Sequence, residues 1–271
     1  MQSCGSGVAT AEAKGFSTFA VEALMNGGEV DFDDKIINEL TEKAKCVYDK
    51  LEVLSTDFKD AIQKFDNEFP VAHLKFDMGD IGASRGKTIP PKNETLKLNS
   101  PDYVITVRIN NNSTNSGVTA RPNLLVAKTI AHEVIHAEMF RKLLSLAKQG
   151  HLSFTGWTTQ QQTDYMISIK ENFFGIYDYM RRHKNWQHQQ MATHYRETLA
   201  RILQEYDTGN AVSDNQQPTQ LYMDLSWEGL IYENGNNAIY TWTSLPQTEK
   251  DRIKSVIASY ISDNINQTCT E

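Results

Sequence analysis

Cysteine is scarce in this chain: three in 271 residues, at positions 4, 46 and 269. They are odd in number and form no CxxC pair, so no disulfide framework and no cysteine chemistry is expected. Cys46 falls on an amphipathic stretch and reads as a small core residue. Long apolar runs are also missing. None approaches the roughly 18–20 residues needed to span a bilayer, so no membrane span is expected. The first residues, MQSCGSGVATAEAKG, lack a basic segment followed by an apolar one, so no secretory leader is read there. Nor is there an excess of basic charge. The net charge is −7, which argues against a nucleic-acid partner.

What the chain does have is periodicity. Residues 1–30 are rich in Gly, Ser and Ala and read as a loose lead-in to a single domain over 31–271. From Asp34 onward, Ile37, Leu40, Ala44, Val47, Leu51 and Leu54 recur at helical spacing, and Phe58, Ile62, Phe65 and Phe69 continue it up to Pro70. The period then drops to two. AHLKFDMG alternates with Leu74, Phe76 and Met78 on one face, and DYVITVRIN does the same with Tyr103, Ile105, Val107 and Ile109. Between them ASRGKTIPPKNETLKLNSP carries three of the seven prolines and reads as a loop. Pro122 suits the first position of a helix that runs to Gly150. Further helices are expected near 159–182, 186–207 and 246–263, with a short one around 221–230. One α+β domain with a small sheet follows from that order.

The chemistry is concentrated in TIAHEVIHAEMF, residues 129–140. His132 and His136 are four apart, so both imidazoles leave one face of a helix and can bind one Zn²⁺. Glu133 is placed to act as general base on a water without ligating the ion. The neighbours Thr129, Ile130, Val134, Ile135 and Ala137 are uncharged, as a dry setting requires. Glu138 departs from that pattern.

A catalytic zinc needs a third ligand. Met139 and Lys142 stand where a glycine and a histidine would extend the motif to HExxHxxGxxH, so the ligand must come from later in the chain. The candidates are His151, His183, His188, His194, Glu171 and Glu197. On helix 186–207 the residues His188, Ala192, Tyr195, Leu199, Ile202 and Tyr206 share a stripe. His194 is turned about 120° from it, with Arg201, toward solvent, and Glu197 is also off it. His188 is therefore the best candidate. Glu171, in IKENFFGIYDYM, stays open as an alternative. His183 and His151 read as cations at helix ends, and His73 as a solvent-face strand residue. Tyr195 shares the stripe and is a candidate donor to a developing oxyanion, beside the plainer reading of a packed tyrosine. Trp227 reads as a core anchor.

The HExxH helix resembles that of zincin metallopeptidases. More narrowly, LLVAKTIAHEVIHA followed by HQQMATHY and DLSWEGL resembles bacterial zincin-like modules found at the C-terminal end of large secreted or surface proteins; the resemblance spans about 70–235. It implies a zincin-like fold, Zn²⁺, a peptide or protein substrate, a metallopeptidase activity, and His188 as the first histidine of the HxxMAxxY element. YVITVRIN is then the candidate edge strand for an extended peptide. The other readings are a non-catalytic or toxin-like binding module on the same fold, and a zinc hydrolase of a non-peptide amide. Glu133 speaks against the first, because a purely structural site has no use for it.

Overall fold

The structure is a computed structural model that describes residues 36–67, 73–89, 104–149, 186–213, 215–234 and 237–270. The lead-in 1–30, the helix expected at 159–182, and the candidates His151, Glu171 and His183 lie outside them. The chain forms a mixed α+β fold. Its strands are β1 (Ile36–Asn38), β2 (His73–Gly79), β3 (Gly86–Ile89) and β4 (Val104–Asn110), in the order β1-β2-β4-β3. β1, β2 and β4 are parallel, and β3 runs antiparallel to β4 at the far edge.

Two expectations are corrected here. Ile36 and Ile37 belong to a strand rather than to the first helix, which begins at Glu42 (α1, Glu42–Leu54). A three-residue edge strand is too short to show a period of two, so it blends into the helical pattern beside it. The second concerns the sheet edge. β4, the VITVRIN part of the expected edge strand, is interior and paired on both sides, and among the described residues the edge is β3, inside the proline-rich segment read as a loop. The strand occupies the four residues before Pro90, where no ladder donor is yet lost.

The alternation in β2 and β4 does sort the two faces. Leu74, Phe76, Ile105, Val107 and Ile109 are buried against helices. On the other face Arg108 donates twice to the Asp77 carboxylate (2.7 and 2.6 Å), and Lys75 pairs with Glu39. Register carries this pattern into β3. Thr88 pairs with Val107 and Gly86 with Ile109, so both sit on the helix-facing side.

α1 buries Ala44, Val47, Tyr48 and Leu51, and α2 (Thr56–Asn67) buries Phe58, Ile62 and Phe65. Ser55 divides the two. Its hydroxyl accepts the Phe58 N–H (3.1 Å) as an N-cap and donates to buried Glu205 (2.7 Å).

The helix α3 (Asn123–Gln149) lies at the centre; the chain enters it through Pro122, whose carbonyl accepts the Leu125 and Val126 N–H groups. From Leu124 to Arg141 every residue is buried. A helix buried all round needs neighbours on every side. Here they are the sheet through β3 and β4, the helices α1 and α2, and a long interrupted helix from 186 to 208. That last element is α4 (Trp186–Gln190), a π turn over Met191–Tyr195, and α5 (Arg196–Thr208). The rest is α6 (Gln220–Leu225), a hairpin of β5 (Tyr232–Asn234) and β6 (Asn237–Ala238), α7 (Tyr240–Thr243) and α8 (Gln247–Asp263). Trp227 is a core residue as expected, 1 % exposed, edge-on to Trp242 at 5.2 Å and covered by the Arg196 guanidinium. Among the described residues no helix is long and apolar enough to cross a membrane.

Cys46 and Cys269 form a disulfide, which corrects the reading of Cys46 as an unpaired core residue. Arg201 is corrected too. It is buried, and its guanidinium donates to the carbonyls of Val212, Ser213 and Gln216, because the segment after α5 folds over it.

Glu138, the charge that broke the apolar pattern of α3, is 4 % exposed and accepts two bonds from Arg141 (2.6 and 3.1 Å). Glu138→Ala would leave a buried guanidinium without this carboxylate and should cost about 3 kcal/mol. Glu138→Leu combined with Arg141→Met should cost much less. Urea unfolding of both variants checks this, and equal losses would show that the pair is not a coupled unit.

Candidate metal centre

The spacing of His132 and His136 on α3 sends their rings to one side. Their Nε2 atoms are 3.1 Å apart and the ring centroids 4.7 Å. His188, on α4, completes the group, with its ring centroid 5.1 Å from each of the other two. One ligand nitrogen from each of the three lies within 4.8 Å of the others. Nitrogens bound to one tetrahedral zinc at about 2.0–2.1 Å stand roughly 3.3–3.4 Å from each other, so small ring rotations bring this set to ligand geometry.

The nitrogens on the far side of the rings decide which atom is offered. His188 Nδ1 lies 2.5 Å from the Tyr232 carbonyl, which can only accept, so Nδ1 carries the proton and Nε2 is left for a metal. That carbonyl belongs to β5, and α7, just beyond the hairpin, is tied to α4 where Thr241 N–H donates to Gln189 (3.1 Å). His132 Nδ1 lies 3.3 Å from Lys128 Nζ. His136 is buried as well, with the Gln187 side chain of α4 beside its ring, a hydrogen bond that favours the charged form but is outweighed by burial. Burial, then the neighbouring cations and imidazoles, hold His132 and His136 well below the usual histidine range. Both rings are therefore neutral at pH 7, the state a metal requires.

Glu133 stands beside this group on the face toward the sheet. Burial pushes its carboxyl up to about 7, against the hydrogen bond from Thr88 and the charge of Lys128. Thr88 Oγ1 lies 2.7 Å from Glu133 Oε2 and 2.8 Å from the Glu133 carbonyl. One hydroxyl proton serves one acceptor at a time. With Glu133 protonated, the carboxyl donates to Thr88, and Thr88 donates to the carbonyl. With Glu133 ionised, the hydroxyl turns to the carboxylate. Gly86 makes this approach possible. A Cβ there would stand 2.8 Å from Glu133 Cγ and 2.7 Å from Thr129 Cγ2.

Behind His132 is a second buried group. Glu228, in the turn after α6, accepts from Arg121 (3.1 Å) and pairs with Arg85 and, at 3.5 Å, with Lys128, which also donates to the Glu228 carbonyl. Burial alone would raise the Glu228 carboxyl; Arg121, Lys128 and Arg85 together take it down to about 2. Burial brings Lys128 down to about 8 against the attraction of Glu228. Gly229, at φ +80°, keeps the chain clear of Lys128, where a Cβ would lie 3.0 Å from Nζ.

Of the residues singled out from the sequence, His132, Glu133, His136 and His188 come together. His194 is exposed on the π turn, and Glu197 is half-buried and held by Arg201 at 3.0 Å. Tyr195 is half-buried and packs on the core at the end of the π turn. His73 is half-buried at the start of β2. Gly86, Thr88, Lys128 and Glu228 were not singled out. Lys128 had a signal: it is a charge four residues before His132, hence on the same helix face. Comparison with family models, with curated proteins and with solved structures found no match for this chain.

Gly86→Ala should therefore displace the Glu133 side chain or the edge strand without unfolding the protein. The expected result is a native-like circular dichroism spectrum and loss of the Thr88–Glu133 contact in a crystal structure. An unchanged Glu133 position would show that β3 yields freely.

Proposed function

We propose that this protein is a zinc-dependent metallopeptidase of zincin type. The observation that carries the reading is the convergence of three imidazoles from two helices, His132 and His136 held neutral by burial, beside a buried carboxyl whose pKa is pushed up to about 7. Perturbed carboxyls of that kind serve as general bases. His132, His136 and His188 would hold Zn²⁺, which supplies Lewis acidity toward a substrate carbonyl and toward water. Glu133 takes a proton from the attacking water and returns it to the leaving amine. Thr88 follows both charge states of Glu133 without moving. Tyr195 is the candidate donor to the oxyanion. Among the described residues β3 is the edge of the sheet, and its Thr88 meets Glu133, so an extended peptide paired with it would lie across the site by main-chain hydrogen bonds.

Chelator-treated protein titrated with Zn²⁺ or Co²⁺ should bind about one equivalent. His188→Ala should weaken binding more than about 100-fold, beyond what loss of an outer partner causes, and His194→Ala should leave it unchanged. Glu133→Gln should keep the metal and lose at least about 100-fold in cleavage of a peptide library. No metal uptake by the wild type defeats the zinc reading. Full uptake with no cleavage of any peptide favours a binding module or a hydrolase of another amide.

A further inference from the structure

Beyond α8 the chain runs back across the front end of α3. The Asn266 N–H donates to the Ala120 carbonyl (3.4 Å), and Gln267 Oε1 accepts the N–H of Asn123 (3.1 Å). Asn123 Nδ2 donates to the Thr268 carbonyl at 3.0 Å. From α1, Lys43 donates to the carbonyls of both Arg121 and Gln267, and Lys50 to that of Thr270 (2.6 Å). The disulfide then fixes Cys269 to Cys46 of α1, across a sequence separation of 223.

These contacts meet a need of the site helix. The first N–H groups of α3 have no partner within the helix, and Gln267 satisfies one of them. They also reach the imidazoles. Lys43 and Asn266 hold the turn at Ala120 and Arg121, and the Arg121 guanidinium lies on Glu228. Glu228 anchors Lys128, whose amine is 3.3 Å from His132. Cys46 and Cys269 are both half-buried, so a small thiol has access to the bond.

We propose that residues 264–270 are a thiol-releasable latch on the front of the site helix. With the disulfide closed, α3 is capped and the imidazole set is held ready for metal. When a dithiol opens the bond, the cap is released and metal affinity falls. In that exchange the bond between the sulfurs of Cys46 and Cys269 breaks and each leaves as a thiol. The dithiol supplies the two electrons and two protons and closes as its own disulfide. The metal half of this rests on the proposed function; the capping half does not.

The test compares oxidised full-length protein with protein reduced by dithiothreitol, by amide hydrogen exchange and by Co²⁺ titration. On reduction, the amides of residues 123–128 should exchange at least about tenfold faster, and Co²⁺ affinity should fall about 10–100-fold, as when an outer partner of a ligand is lost. Gln267→Ala, with the disulfide intact, should speed exchange at Asn123, and Gln267→Glu should keep it slow. This pair decides the capping role even where Cys269→Ser fails to fold. Unchanged exchange in fully reduced protein overturns the latch, and so does faster exchange with unchanged Co²⁺ affinity. If oxidised protein takes up no Co²⁺, the metal reading fails, and the exchange data alone then judge the latch.

Discussion

Everything in this fold answers to the burial of α3. Between Leu124 and Arg141 the helix has no solvent face, yet it carries Lys128, Thr129, His132, Glu133, His136, Glu138 and Arg141. A buried polar group without a partner costs about 1–3 kcal/mol, and a buried charge costs more. Each surrounding element therefore brings partners as well as apolar surface. β3 brings Thr88 to Glu133, and the turn after α6 brings Glu228 to Lys128. The helix supplies Arg141 to Glu138 from its own next turn, and Thr129 turns its hydroxyl back to the Leu125 carbonyl. The imidazoles are the exception. Their inner nitrogens face one another rather than protein acceptors, and that arrangement is what singles them out as a ligand set.

The sheet's part is a matter of register. Because side chains alternate, pairing Thr88 with Val107 commits Thr88 and Gly86 to the face that α3 covers. A shift of one residue would put Lys87 under Glu133 and turn Thr88 to the polar side. Asn110 protects against that shift. It is fully buried at the end of β4, and its amide donates to the carbonyls of Gly82 (2.8 Å) and Ser84 (2.6 Å) in the loop leading into β3.

How much of this could be read from the chain depended on whether the signal was local. The HExxH spacing, the two alternating strands and the limits of α3 are short-range patterns, and the structure has them where periodicity put them. His188 was reached by helix phase, and the buried stripe does include Ala192, Leu199 and Ile202. The phase was an approximation, however, because the π turn at Met191–Tyr195 takes more residues per turn than the assumed 3.6. Tyr195, placed across that turn, is where the projection is least secure. Pairings made by the fold gave no signal at all. Nothing near Cys46 announces Cys269, nothing around Arg201 announces the carbonyls that fold over it, and β3 hid behind its prolines.

The charges around the site are not independent of one another. Arg85, Arg121 and Lys128 face the carboxyls of Glu228 and Glu133, three cations against two acids. Burial favours the neutral form of Glu133 and of Lys128 alike, and without further charge a proton on Glu133 is as stable as its absence near pH 7. A dication between the imidazoles would shift both groups in one sense: it favours the ionised carboxylate and disfavours the ammonium. In the proposed mechanism the ion that would activate water would thus also favour the carboxylate form of Glu133. Glu228, already ionised and held by its own cations, would change little. The two acids of the site are chemically alike, and they are separated in role by their neighbours: one is surrounded by guanidinium groups, the other by a threonine hydroxyl and a glycine.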